Sequence, residues 1–210
     1  MTSGSRNSTK GLLARPRNSR LRAIRRAATG TLALIGPLLL LAGPSHAAEI
    51  SRHPREPLVS FAKRLLPAGM EFATKPVELK LAPLGKVAVV LFRPTDGSSN
   101  YTGWVLVPDA AASDSYRKEA LPELALANGL FEVEVKSIFA ADADADPGQE
   151  LCVIYSYYRS GSGEDGGYAT EVYKWVRDQF VRLDAAGDSV VGLRNAKQVR
   201  AKFGKQLSKQ

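Results

Sequence analysis

The spacing of apolar residues changes character several times along the chain. Leu58, Phe61, Ala62, Leu65 and Leu66 recur at helical intervals between Pro57 and Pro67, which predicts a short amphipathic helix bounded by the two prolines. After it, positions 77–81 alternate (VELKL), 87–92 form a continuous run of mostly branched and aromatic residues, and 104–107 (WVLV) follow a turn near Asp96-Gly97. Such short runs separated by turn residues read as antiparallel strands. Residues 113–127 are expected to be helical, with Ser113 or Asp114 as cap and Leu121, Leu124 and Ala125 on one side, although Pro122 argues for a break inside the segment.

The clearest strand begins at Phe131. Phe131, Val133 and Val135 fall on one face, and Glu132, Glu134 and Lys136 on the other, as in a sheet with one solvated face. Residues 151–158 are bulky on both faces and should be central. Residues 168–176 and 180–183 suggest a hairpin turned through Arg177-Asp178-Gln179. From Asn195 onward Val199, Phe203 and Leu207 are spaced four apart, which predicts a closing helix. The expected fold class is therefore α+β, mainly antiparallel sheet with flanking N- and C-terminal helices.

The first 47 residues do not share this pattern. A basic stretch precedes an apolar run at 29–42, and Ser45-His46-Ala47 places small residues where a signal peptidase cleaves, so a cleavable signal peptide over 1–47 is expected. The run is shorter than the ~20 residues of a membrane span and is interrupted by Gly36 and Pro37, which argues against an anchor remaining after processing. Arg25-Arg26 leaves the export route open between the general secretory and twin-arginine pathways, the latter only weakly signalled because Ala27-Ala28 follow. Residues 48–210 are then one soluble domain, periplasmic or secreted.

Charge supports this division. The 210-residue chain carries a net charge of +8, but eight of its 29 bases and none of its 21 acids lie in the first 47 residues. The remainder is neutral, which removes the reason to invoke nucleic acid as a partner. The bases Arg194, Lys197, Arg200, Lys202, Lys205 and Lys209 concentrate at the end of the chain, where a solvated helix face near a C-terminal dipole accounts for them. The single cysteine, Cys152, has no internal partner and lies in an apolar run, as a buried unreactive thiol would.

One segment carries recognisable chemistry. Between the two clearest strands lies Asp142-Ala143-Asp144-Ala145-Asp146-Pro147-Gly148-Gln149-Glu150. Alternating carboxylates, a Pro-Gly turn and a further carboxylate can wrap round one hard cation and supply several of the six to eight oxygens that calcium takes. An EF-hand would have glycine and glutamate where this loop has Pro147 and Val153. Packed carboxylates repel unless neutralised, and extracytoplasmic calcium is a ready counter-ion. All the groups come from one loop with no nucleophile beside them, so a role in pinning strands is expected rather than catalysis.

Residues 139–154, a strand, then D-x-D-x-D-x-x-x-E, then an apolar strand, resemble the integrin-type FG-GAP calcium loop. The resemblance implies side-chain ligands at Asp142, Asp144, Asp146 and Glu150, and a backbone carbonyl ligand at Gly148. The family usually has glycine and aspartate where this chain has Pro147 and Glu150. No further copy of the motif is present to build a propeller.

A glycine- and serine-rich stretch at 159–168 follows the central strand. It resembles, more loosely, the serine-glycine-tyrosine loop of periplasmic inhibitors of invertebrate-type lysozymes, which implies partner-binding roles for Ser162, Gly163 and Tyr168. Here Glu164 to Gly167 are inserted before the tyrosine, and a plain flexible connection explains the same residues.

Catalytic constellations are scarce. After residue 47 the one histidine is His53, which leaves no Ser-His-Asp or Cys-His arrangement and no multi-histidine zinc site. A carboxylate pair such as Glu132 and Glu134 would serve a glycan hydrolase, but both sit on what reads as a solvated strand face. The expectation is an exported, non-enzymatic binding or structural protein with an unidentified protein or glycan partner and one calcium loop. Lysozyme inhibition is the first alternative and glycan hydrolysis the second.

Overall fold

The computed structural model describes residues 50–96, 101–110, 114–123, 130–144, 146–159 and 166–208, all within one unit, Pro44–Gln210. The signal-peptide reading of 1–47 lies outside these residues. No helix among the described residues is long and apolar enough to cross a membrane.

In chain order the elements are β1 (Ile50–Ser51), α1 (Leu58–Leu65), β2 (Met70–Phe72), β3 (Val77–Leu81), β4 (Gly85–Pro94), β5 (Thr102–Pro108) and β6 (Ser115–Ala120). There follow β7 (Leu130–Ala141), β8 (Glu150–Arg159), β9 (Gly167–Val176), β10 (Gln179–Arg182), α2 (Asp184–Asp188) and α3 (Ala196–Leu207). Among the described residues two antiparallel sheets form. One has the order β1-β6-β5-β4-β2, with β3 also paired to β4; the other has the order β10-β9-β8-β7.

The sheets pack face to face. Val87, Val89 and Leu91 of β4 and Val105 and Val107 of β5 meet Leu151, Val153 and Tyr155 of β8 and Tyr173 of β9 in the central core. The alternate residues of the same strands are apolar too, because each sheet has a second covered face. Ala88, Val90, Phe92 and Leu106 lie under Phe61 and Ala62 of α1. Cys152, Ile154 and Val172 lie under Val190 and under Val199 and Phe203 of α3. The continuous apolar run at 87–92 thus reflects a strand buried on both sides, and each such side chain contributes about 1.5–3 kcal/mol by leaving water. The result is a helix-sheet-sheet-helix stack.

Two local features depart from the sequence pattern. The helix expected at 113–127 is not formed at its centre: residues 115–120 are strand β6, paired with β5 and β1. Pro122 denies a helix its interior hydrogen bond, and the β5 edge offers the backbone a ladder instead. Leu121 then turns into the central core, while residues 111–113 and 124–129 fall outside the described residues. The second departure is a shift of register in β7 between Val135 and Ser137. Before it Val133 and Val135 face the central core; after it Ile138 and Ala140 do, and Phe139 and Ala141 turn to the α3 side. The extra residue of a bulge has exchanged the two faces.

Candidate metal site

The β7-β8 ladder ends at the pair Ala141 and Glu150, so residues 142–149 are the connection and Asp142 and Glu150 stand at its two feet. Asp142, Asp144 and Glu150 each place one carboxylate oxygen within 4.8 Å of the others'. This acidic triad can hold a metal ion.

Glu150 is the unusual member. Its side chain is 0% exposed, an uncommon state for a carboxylate. Oε2 accepts a hydrogen bond from the Ala143 N–H at 2.6 Å, whereas the buried Oε1 has no protein partner. Burial pushes the carboxyl above its ordinary range; the Ala143 N–H opposes the rise, and the charges of Asp144 and Asp146 add to it. Leaving such an oxygen dry and unpaired costs about 1–3 kcal/mol.

Asp146, a predicted ligand, is turned to other partners. Its Oδ1 accepts from the Gly148 N–H at 2.7 Å, and its Oδ2 pairs with the ammonium of Lys174. Lys174 and the Gly148 N–H together hold the Asp146 carboxyl below its usual range. A Cβ on Gly148 would stand 2.8 Å from Asp146 Oδ1, so any larger residue here would push the Asp146 carboxylate aside. For Gly148, then, the structure gives a donated N–H toward Asp146.

Lys174 is the residue that sequence reasoning missed. It lies on β9, far along the chain, and its ammonium reaches both Asp144 and Asp146, which raise its own pKa in return. The signal for it was a lone lysine between Tyr173 and Trp175 on a strand of mostly apolar positions. The loop also reaches the opposite sheet, where the Gln149 N–H donates to the Ala82 carbonyl at 3.2 Å. Beside that contact a cavity of about 310 Å³ is bordered by Pro83, Pro147, Lys174 and Trp175. On the other side Asp144 borders a cavity of about 730 Å³ with Arg182, α2 and the end of α3.

The remaining sequence candidates lie elsewhere. Ser162 and Gly163 fall outside the described residues. Tyr168 belongs to β9, packs against the core beneath α3, and has the Arg194 guanidinium 5.4 Å from its ring centre. Glu134 is exposed and ion-paired with Lys136 at 2.5 Å. Cys152 is buried, its thiol pushed up to about 12 by that burial, and is chemically quiet.

Comparisons with protein-family models, with curated proteins and with solved structures give no match, so the site is argued from its own geometry.

Proposed function

We propose that the connection 142–150 binds one calcium ion and that the ion's role is structural, holding the end of the β7-β8 hairpin against the opposite sheet in an exported binding protein. The observation that carries this reading is the unpartnered Glu150 Oε1, a buried anionic oxygen beside two further carboxylates. Oxygens around calcium stand 2.3–2.6 Å from the ion, so those on opposite sides lie about 5 Å apart. A triad whose oxygens all lie within 4.8 Å of one another fits inside that span. Asp146 and the Gly148 carbonyl complete the ligand set once the Asp146 side chain turns toward the ion. Export places the loop where calcium is abundant, and the basic and apolar leader at 1–47 supports that location.

Calorimetric titration of the purified protein with calcium tests the reading, alongside a thermal melt. One ion per chain and a rise in Tm are expected, both abolished by Asp142→Asn or Glu150→Gln. No uptake at millimolar calcium would sink it. Sequencing the N-terminus of the protein recovered from the cell exterior or periplasm tests the location, with Ala48 the expected first residue.

A further inference from the structure

We infer that Lys174 is a built-in placeholder cation, which holds the acidic loop closed before the ion arrives and must be displaced by it, so that it weakens the site's affinity for calcium. The inference rests on the metal reading above and concerns the regulation of that site.

The four carboxylates of the loop are divided between two demands. Asp142, Asp144 and Glu150 converge as a triad, while Asp144 and Asp146 are gripped by the Lys174 ammonium. Asp144 belongs to both groups. An ion that takes Asp144 and recruits Asp146 removes both anchors of Lys174 and sets a second positive charge beside its ammonium. Calcium and Lys174 therefore compete for the same carboxylates.

The arrangement is not a chance surface contact. Antiparallel order through β7, β8 and β9 sets Lys174 beside the hairpin end, with Tyr173 in register with Leu151, next to Glu150. The Lys174 side chain is three-quarters covered, 24% exposed. The 310 Å³ cavity bordered by Pro83, Pro147 and Trp175 gives the displaced side chain somewhere to go.

The competition gives the site a threshold. Without Lys174 the loop would be a cluster of like charges that scavenges traces of calcium; with it the loop is already neutralised in part, and fills only where calcium is plentiful. Weak sites of this kind belong to extracellular modules, whose affinities lie near 10⁻⁴–10⁻³ M.

The test is calcium titration of the native protein, of Lys174→Met, which keeps the stem and loses the charge, and of Lys174→Arg, which keeps the charge. Lys174→Met is expected to bind calcium at least about tenfold more tightly, Lys174→Arg within about threefold of native. Acetylation of Lys174 by an amine-reactive reagent, read by peptide mass spectrometry, is expected to be slow without calcium and several-fold faster at saturation. Stoichiometric binding with unchanged or weaker affinity in Lys174→Met overturns the inference and leaves the metal site standing. Acetylation independent of calcium in a protein that binds it does the same, and a lack of uptake in all three proteins removes both.

Discussion

The guanidinium of Arg182 lies 3.5 Å from the carboxylate of Glu171, an acidic group almost wholly enclosed on the interior strand β9. Arg182 divides itself between this group, Asp184 at 2.5 Å and the Glu123 carbonyl at 3.3 Å. Burial pushes Glu171 up to about 7; Arg182 opposes the shift, and Asp184 and Asp188 reinforce it.

Because the folded state holds the proton of Glu171 more tightly than the unfolded chain does, this group favours folding at low pH. That contribution is complete below about pH 4.5 and is lost as pH rises through about 7. Melting curves of the native protein and Glu171→Gln across this window are expected to diverge. The variant should lack this group's part of the decline and be the more stable of the two at pH 8, by about 1–3 kcal/mol.

Gly187 in α2 sits directly over the Thr170 carbonyl, where a Cβ would stand 2.6 Å from the oxygen. Both sides of the contact are backbone and cannot step aside. Gly187→Ala is expected to cost about 1–3 kcal/mol in a denaturant titration, by lifting α2 off the sheet.

The β9-β10 turn consists of Arg177 and Asp178, both left-handed, with φ of 48° and 65°. Two such residues in succession define a two-residue hairpin turn that favours Asn-Gly. Arg177→Asn combined with Asp178→Gly should therefore raise stability by about 1 kcal/mol, measured as a shift in denaturation midpoint with unchanged slope.

Phe203 is 1% exposed and, with Val199, carries the packing of α3 on the second sheet. Phe203→Ala is expected to cost about 3–5 kcal/mol, while Lys202→Ala on the exposed face should change stability by less than about 0.5 kcal/mol. Equal losses from both would mean that the apolar face is not the main attachment of the helix.

Much of the sheet structure was legible because alternation and run length are written locally. Val77 to Leu81, Val87 to Phe92 and Leu151 to Tyr158 announce themselves by composition alone. What escaped were features decided by neighbours distant in sequence. Tyr116 joins a strand because β5 offers it an edge and Phe61 a ring at 5.2 Å, neither of which its own segment contains. The inversion of β7 after Val135 came from one unpaired residue, which no periodicity measure sees. At the site, the carboxylates were visible as a string of letters, but the burial of Glu150 and the approach of Lys174 depend on three strands lying side by side.

The hydrogen bond from Gln149 to Ala82 makes the acidic connection a latch across the mouth of the sandwich. Leu81, next to Ala82, and Leu151, two residues beyond Gln149, are both fully buried, so releasing the latch would admit solvent to the core from this side first. The amide proton of Gln149 is thus a gauge of how firmly the two halves are shut, and exchange faster than that of the core strands reports the opening of this end ahead of global unfolding.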